Sequence, residues 1–170
     1  MPESEAYQSF LEDHPPLLAI GNTPLVRVDL LMDLGGVEIH AKYEHLNPGG
    51  SIKDRPVLRM LVEAILSGEL TRDKVILDAT SGNAGIAYSM IGAVLGYKVE
   101  LVMPENASQE RKRRILAHGA EIVFNPSATV TDLTKSMLPS RVLGVKSKIC
   151  STIPGSPTLR MPNILSWSTV

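Results

Sequence analysis

The sequence contains little cysteine and no excess of either charge. Only one of its 170 residues, Cys150, is a cysteine, which excludes an intramolecular disulfide and suits a reducing cytoplasm. The formal net charge of −1 offers no broad positive surface for a nucleic acid. No segment approaches the roughly 20 apolar residues of a membrane-spanning helix, and the acidic amino terminus does not have the pattern of a secretory signal. These features predict a cytoplasmic protein without a nucleic-acid or membrane partner.

Metal and nucleotide motifs are missing as well. The histidines, His14, His40, His45 and His118, lack the spacing of metal ligands, and a single cysteine cannot complete a zinc site. The glycine-rich segments match neither the G-x-G-x-x-G fingerprint of dinucleotide-binding folds nor a P-loop. The basic run at 111–114 lies on a predicted helix and is interpreted as a solvated face. We therefore predict no metal site.

The segment at 47–55 reads N-P-G-G-S-I-K-D-R and predicts a tight turn that leads into a helix. Ser51 has the chemistry of a helix N-cap, and Asp54, three residues later, completes a pair that resembles a capping box. Lys53 then falls in the first helical turn, where the helix dipole disfavours a cation. A neutral amine or an imine is tolerated better there, so the position suits a lysine that forms a Schiff base. The alternative is an exposed lysine that accepts a penalty of roughly 0.3–1 kcal/mol.

A second segment joins a short strand to a helix through small and hydroxylated residues. Val75–Ala79 has the composition of a strand, T-S-G-N-A-G follows at 80–85, and a helical stretch begins near Gly85. The backbone N–H groups of such a turn have no intrahelical partners, so they can bind an anion. The alternative is an ordinary connection within an α/β unit.

Strands and helices alternate along the chain after residue 53. Such alternation favours parallel strands that are joined by right-handed crossovers. We predict a small three-layer α/β/α domain with a mostly parallel sheet at 53–124. The predicted strands are Leu25–Val28, Glu38–Tyr43, Lys74–Ala79, Lys98–Met103 and Glu121–Phe124, and the predicted helices are 53–66, 85–95 and 108–118, the last followed by Gly119 at C′.

Three motifs in this order resemble the start of the cysteine synthases (O-acetylserine sulfhydrylases). They are G-N-T-P-L at 21–25, N-P-G-G-S-I-K-D-R at 47–55 and T-S-G-N-A-G-I-A at 80–87. The cysteine synthases are tryptophan-synthase-β-like enzymes that use pyridoxal 5′-phosphate, as are cystathionine β-synthase and the threonine dehydratases. The resemblance implies the two-domain fold type II, of which this chain would hold an incomplete part. In that fold the predicted domain forms one wall of the active-site cleft.

The resemblance also implies roles for single residues. Lys53 would bind the aldehyde of the cofactor and later act as the base at the substrate Cα, and Asn83 would hydrogen-bond the cofactor ring hydroxyl. The substrate α-carboxylate would be bound by the turn that comprises Thr80, Ser81, Gly82, Asn83 and Ala84. The implied reaction replaces the leaving group of an activated serine by sulfide or a thiol, in a homodimer. Ala84 stands where cysteine synthases usually have threonine, which leaves the amino-acid donor open.

The composition changes after Phe124. Residues 1–124 carry 12 basic and 17 acidic side chains, a net charge of −5, whereas residues 125–170 carry 5 basic and 1 acidic, a net charge of +4. Serine, threonine and proline supply 19 of the last 46 residues. We therefore divide the chain into an N-terminal extension at 1–16, a cysteine-synthase-like part at 17–124 and an anomalous, loosely ordered tail at 125–170.

The phosphate-binding motif of the resembled family, G-T-G-G-T, does not occur in the sequence. Three functions therefore stay open. The chain is a working pyridoxal-phosphate enzyme, a truncated and weakly active form of a cysteine synthase, or a non-catalytic module that binds an amino acid or another anion. A related deaminase or a cystathionine β-synthase-type enzyme is a further alternative.

Overall fold

The computed structural model describes residues 5–28, 35–80 and 82–125. Its helices are α1 (Glu5–Glu12), α2 (Asp54–Leu66), α3 (Asn83–Leu95) and α4 (Gln109–Ala117), and its strands are β1 (Leu25–Val28), β2 (Ile39–Lys42), β3 (Ile76–Ala79), β4 (Val99–Pro104) and β5 (Glu121–Asn125). Short 3₁₀ helices cover Pro15–Ala19 and Glu44–Leu46. Ser81 and all but the first residue of the predicted tail lie outside the described residues.

The strands form two sheets. β1 and β2 pair antiparallel. β3, β4 and β5 form a parallel sheet in that order, with Ile76 opposite Val99 and Glu100 opposite Glu121. Parallel neighbours that are joined through a helix are βαβ units. The predicted α/β class with a mostly parallel sheet is confirmed, and the predicted ends of the helices and strands agree to within two residues.

The apolar core lies between the parallel sheet and α3. Along β4, the alternating residues Val99, Leu101 and Met103 all belong to the buried core. Val102, which points to the opposite face of the sheet, is buried but lies outside that cluster. The helix α3 contacts β3 and β4 on one side and both α2 and α4 on others. A helix that is surrounded in this way is apolar on nearly every face, as the sequence of α3 is.

The helix α1 packs against the rest of the fold. Its Tyr7 and Leu11 are buried members of the core. The guanidinium of Arg59, on α2, lies 4.5 Å from the centre of the Tyr7 ring, a distance at which a cation and an aromatic face attract. The predicted N-terminal extension at 1–16 therefore contributes apolar surface to the core through α1.

Two glycines allow α3 to lie close to the sheet. A Cβ attached to Gly92 would be 2.4 Å from Cγ2 of Val99, and one attached to Gly85 would be 2.6 Å from Cγ2 of Thr80. Non-bonded carbon atoms do not approach so closely, because their favourable separation is about 3.5–4.0 Å. Either Cβ would push the helix away from the sheet. The position of the turn at the start of α3 therefore depends on the absence of a side chain at residue 85.

Membrane spans and metal clusters are both absent from the described part of the chain. None of its helices is long and apolar enough to cross a membrane. Within the same residues, no three His, Cys, Asp or Glu side chains are grouped so that they could hold a metal ion.

We expect Gly85→Ala to reduce the free energy of unfolding by about 1–2 kcal/mol. The new methyl group overpacks the contact with Thr80, at a cost of typically 1–3 kcal/mol, which outweighs the gain of up to about 1 kcal/mol that alanine brings to a helix. Chemical denaturation measures the change. Val94→Ala, at an exposed position of the same helix, is the control and should change stability by no more than about 0.5 kcal/mol. A Gly85→Ala protein as stable as the unmodified chain would contradict this account of the packing.

Candidate active site

Lys53 stands at the point where a turn becomes helix α2. Its carbonyl oxygen accepts the first helical hydrogen bond, from the N–H of Val57 at 3.2 Å, so Lys53 is the N-cap residue and not part of the first turn as predicted. Its side chain is half-buried. Among the described residues, no hydrogen bond or ion pair engages Nζ of Lys53. The amine is therefore available for a covalent bond.

The predicted capping box between Ser51 and Asp54 is wrong. The hydroxyl of Ser51 accepts a hydrogen bond from the N–H of Lys53 at 3.2 Å, and the carboxylate of Asp54 accepts one from the N–H of Gly49 instead of reaching back to Ser51. Asp54 is fully buried. A buried carboxylate needs a donor within its own pocket, and the tight turn brings the Gly49 N–H into that pocket.

Gly49 fits this pocket because it lacks a side chain. A Cβ at this position would lie 2.3 Å from Oδ1 of Asp54. Burial raises the pKa of the Asp54 carboxyl, while the Gly49 N–H and the positive charge of Arg114 act in the opposite direction. Within the described residues, Oδ1 of Asp54 has no hydrogen-bond partner. The carboxylate of Asp54 thus closes the turn that carries Lys53. The Gly49 N–H and the charge of Arg114 offset the cost of its burial.

A polar network centred on Glu44 holds the same turn from its other side. The carboxylate accepts two hydrogen bonds from the Arg55 guanidinium, at 2.8 and 2.9 Å. It accepts further bonds from the Thr23 hydroxyl and the Asn47 amide, both at 2.8 Å. The Arg55 hydrogen bond is the largest cause of a shift that lowers the pKa of Glu44 from 4.5 to about 2, against the opposing effect of burial.

This network explains why two motifs of the sequence occur together. Arg55 also donates to the hydroxyl of Thr23 at 2.9 Å, and Oδ1 of Asn47 accepts from the N–H of Gly21 at 2.8 Å. The G-N-T-P-L motif therefore contacts the N-P-G-G-S-I-K-D-R turn and holds it in place. Glu44 lies outside the three motifs, and an isolated glutamate in a sequence carries no signal of its partners.

The turn before α3 presents free backbone donors. Thr80 is buried, and its hydroxyl accepts a hydrogen bond from the N–H of Gly82 at 3.3 Å. Gly82 is the N-cap residue, with a φ of −168°. The N–H groups of Asn83 and Ala84 open the helix and have no hydrogen-bond partner among the described residues. Such a pair of donors suits a carboxylate or another anion.

Asp78 lies on β3, two residues before Thr80. Burial raises the pKa of its carboxyl to about 6, opposed by a hydrogen bond from the N–H of Ala79. Ser81, which was predicted to share in the carboxylate turn, lies outside the described residues. The structure therefore presents Thr80, Gly82, Asn83 and Ala84 of that prediction, with the half-buried acidic group of Asp78 close by along the chain.

The basic run on α4 contacts both turns, so its prediction as a solvated face is wrong for part of it. Nη2 of Arg114 donates to the carbonyl oxygen of Gly49 at 3.0 Å. The guanidinium carbon of Arg111 lies 3.4 Å from the place that a Cβ of Gly82 would occupy. Lys112 is buried and donates to the carbonyl oxygen of Glu105. The three-residue spacing of Arg111 and Arg114, which places them on one helix face, was the signal that could have identified these contacts.

The arrangement combines three chemical elements. An amine without a competing partner can bind an aldehyde, unpaired N–H groups at a helix start can bind a carboxylate, and arginine contacts hold both turns against α4. The residues present therefore fit the lysine-binding end of pyridoxal phosphate and an amino-acid substrate.

Comparison with known proteins assigns the chain to a family. Residues 16–154 match the family described as pyridoxal-phosphate dependent enzymes. Because this match covers most of the chain, the protein belongs to that family. The predicted family and its cofactor are thereby confirmed.

The curated relatives of the chain include a cysteine synthase and a cystathionine β-synthase. The chain is 51% identical over 122 residues to a cysteine synthase of Aquifex aeolicus, a match that covers 68% of this chain and 36% of that protein. It is 40% identical over 140 residues to cystathionine β-synthase of Dictyostelium discoideum, covering 82% of this chain and 27% of that protein. The chain thus spans about a third of the length of these curated relatives.

Solved structures show the same partial correspondence. The crystal structure of a hydrogen sulfide-producing enzyme from Fusobacterium nucleatum is 40% identical and superposes with a TM-score of 0.65, covering 72% of this chain and 41% of that one. The fold described above is therefore similar to one part of that enzyme.

We expect Glu44→Gln to destabilise the fold at pH 7 and to do so less as the pH falls. The folded pKa of Glu44, about 2, lies below its ordinary 4.5, so its ionised form stabilises the fold fully above about pH 4.5. This stabilisation is lost as the pH falls toward 2. The loss in Glu44→Gln should be about 1.5–3 kcal/mol at pH 7, typical of hydrogen bonds to a charged group.

Denaturation curves at pH 7, 4.5 and 2.5 measure this effect. Glu63→Gln is the matched control, because Glu63 forms an exposed pair with Arg59 on one helix face and such pairs contribute 1 kcal/mol or less, about 0.3–0.5 at this spacing. A difference between Glu44→Gln and the unmodified chain that stayed the same at pH 7 and pH 2.5 would show that the charge of Glu44 is not what stabilises the turn.

Proposed function

We propose that this chain provides the lysine-bearing wall of an active site that replaces the leaving group of an activated serine by sulfide or a thiol. The observation that carries the proposal is the amine of Lys53, which no hydrogen bond or ion pair engages among the described residues, on a turn held by two separate polar clusters, around Glu44 and around Asp54. A lysine with only a structural role has no need for a turn that is fixed in this way. The partial match to cysteine synthases supports the same chemistry.

In this proposal Lys53 has two tasks. Nζ would hold pyridoxal phosphate through its aldehyde, and the cofactor would supply an electron sink for chemistry at the substrate Cα. Nζ would also accept the proton from the substrate Cα.

The turn before α3 binds and orients the amino acid. We assign the α-carboxylate to the N–H groups of Asn83 and Ala84, with Thr80, Ser81 and Gly82 completing the turn. The side chain of Asn83 is exposed and is assigned to the ring hydroxyl of the cofactor. Because Ala84 contributes no hydroxyl, backbone N–H groups hold the substrate there. If binding of O-acetylserine requires a side-chain hydroxyl at this position, the chain uses a different amino acid.

A second function rests on an observation that does not involve Lys53. The N–H groups of Asn83 and Ala84, which have no hydrogen-bond partner within the described part of the chain, can bind an amino acid or another small anion without catalysis. Either function concerns small amino acids in the cytoplasm, and the homodimer that the resemblance implies remains part of the proposal.

We expect pyridoxal phosphate to label Lys53 in preference to the other lysines. The full chain is mixed with the cofactor and reduced with borohydride, and the labelled peptides are mapped by mass spectrometry. Lys42 and Lys74 already donate to backbone carbonyls, so their amines compete less well than one without a partner. Lys53→Arg should abolish the main adduct and leave the minor ones. Labelling spread evenly over Lys42, Lys74, Lys98 and Lys53 would exclude a specific site.

We expect Gly82→Val to abolish the binding of O-acetylserine or serine while the fold is kept. A Cβ at residue 82 meets only the Arg111 guanidinium, at ordinary contact distance, and the φ of −168° is open to any residue. The larger side chain, however, obstructs the approach of a carboxylate to the backbone. Backbone chemical shifts during titration measure binding, with Ala93→Val, at the exposed far end of α3, as the control. Equal responses from both variants would mean that this turn is only a connection.

A further inference from the structure

The peptide groups on either side of Gly49 are held by side chains from two different helices. Its N–H donates to the carboxylate of Asp54, the first residue of α2. Its carbonyl oxygen accepts a hydrogen bond from Nη2 of Arg114, on α4, at 3.0 Å. The Asp54 carboxylate and the Arg114 guanidinium, each fixed on a helix, therefore restrict the backbone of Gly49.

The bond between Gly49 and Asp54 closes a short loop that contains Lys53. Only Gly50, Ser51, Ile52 and Lys53 lie between the two ends. A short closed loop has few conformations, so the direction of the Lys53 side chain is set by the placement of the Gly49 peptide. Gly50 has a φ of +78°, which glycine adopts at little cost and which the loop requires in order to close.

Arg114 packs against this loop and places a positive charge near Asp54. Both of its terminal nitrogens lie 3.5 Å from the place that a Cβ of Gly50 would occupy, so the guanidinium packs beneath the Gly49–Gly50 peptide. Its positive charge acts on the fully buried carboxylate of Asp54. A buried charge that loses its compensating partner is strongly destabilised. Removal of the guanidinium would therefore loosen the loop at the Gly49 carbonyl and at Asp54 together.

We propose that Arg114 and Asp54 are positioning residues for Lys53, which together fix the Gly49 peptide and thereby the direction of the reactive amine. This proposal rests on the proposed function of Lys53. Among the described residues, no hydrogen bond or ion pair joins either side chain to Nζ of Lys53. Their role is to hold the loop from outside, with Asp54 anchored in α2 and Arg114 reaching from α4, the helix that also contacts the turn at Gly82 through Arg111.

The test uses the full chain and two matched variants, Arg114→Leu and Arg113→Leu. Both remove one positive charge from α4, but Arg113 is exposed and is not part of the contact with Gly49. The first measurement is amide hydrogen exchange of Gly49, with Ile91 in the buried centre of α3 as an internal reference. The second is the share of borohydride-reduced pyridoxal phosphate that is found on Lys53, relative to Lys42, Lys74 and Lys98 in the same sample.

In Arg114→Leu we expect Gly49 to exchange about tenfold faster or more, in line with the loss of hydrogen bonds to a charged group, while Ile91 exchanges as before. We expect the share of label on Lys53 to fall at least about threefold, because a misdirected amine reacts less often. Arg113→Leu should behave as the unmodified chain in both measurements.

The possible results separate this proposal from the one on which it rests. If the unmodified chain labels Lys53 selectively and Arg114→Leu does so equally, the positioning role is wrong and the proposed function stands. Unchanged exchange at Gly49 in Arg114→Leu also overturns the positioning role. If the unmodified chain shows no preference for Lys53, the proposed function fails, and the positioning role fails with it.

Discussion

The ion pair between Glu44 and Arg55 joins segments that are far apart in the sequence. Arg55 belongs to α2, Glu44 follows β2, and Thr23, which bonds both, precedes β1. Because the carboxylate accepts bonds from three neighbours, its charge is compensated although it is mostly removed from water. The antiparallel pair of strands, the lysine turn and α2 are held together at this point.

The sequence indicated the class of fold reliably and the local contacts poorly. Alternating strands and helices predict a parallel sheet because crossover connections permit few other arrangements, and β3, β4 and β5 follow that rule. The capping box at Ser51 failed because the burial of Asp54 selects the nearest available donor, the Gly49 N–H. The charged run on α4 was misread because composition reports the charge of a side chain and not its tertiary partner. The turns at Lys53 and Gly82 could be located from glycine and hydroxyl spacing, whereas their contacts with Arg114 and Arg111 required the fold.

The two acidic groups near these turns differ in a way that burial and hydrogen bonding explain. Glu44 accepts several hydrogen bonds and remains ionised even in acid. Asp78 is half-buried, and desolvation raises its pKa to about 6 against the effect of a hydrogen bond from the N–H of Ala79. Glu44 stabilises the turn that carries Lys53, whereas Asp78 lies on β3, the strand that leads to the turn before α3.

The helix α4 lies against both turns, the one at Gly49 and the one at Gly82. Arg111 and Arg114 are three residues apart, so about 4.5 Å of helical rise separates their attachment points. Arg114 donates to the carbonyl oxygen of Gly49 and the Arg111 guanidinium lies beside Gly82, so one face of α4 lies against both turns. A single-residue insertion between the arginines would rotate one of them by about 100° around the helix axis and leave one turn without its contact. Both turns therefore depend on the register of α4, although no residue of that helix takes part in the proposed chemistry.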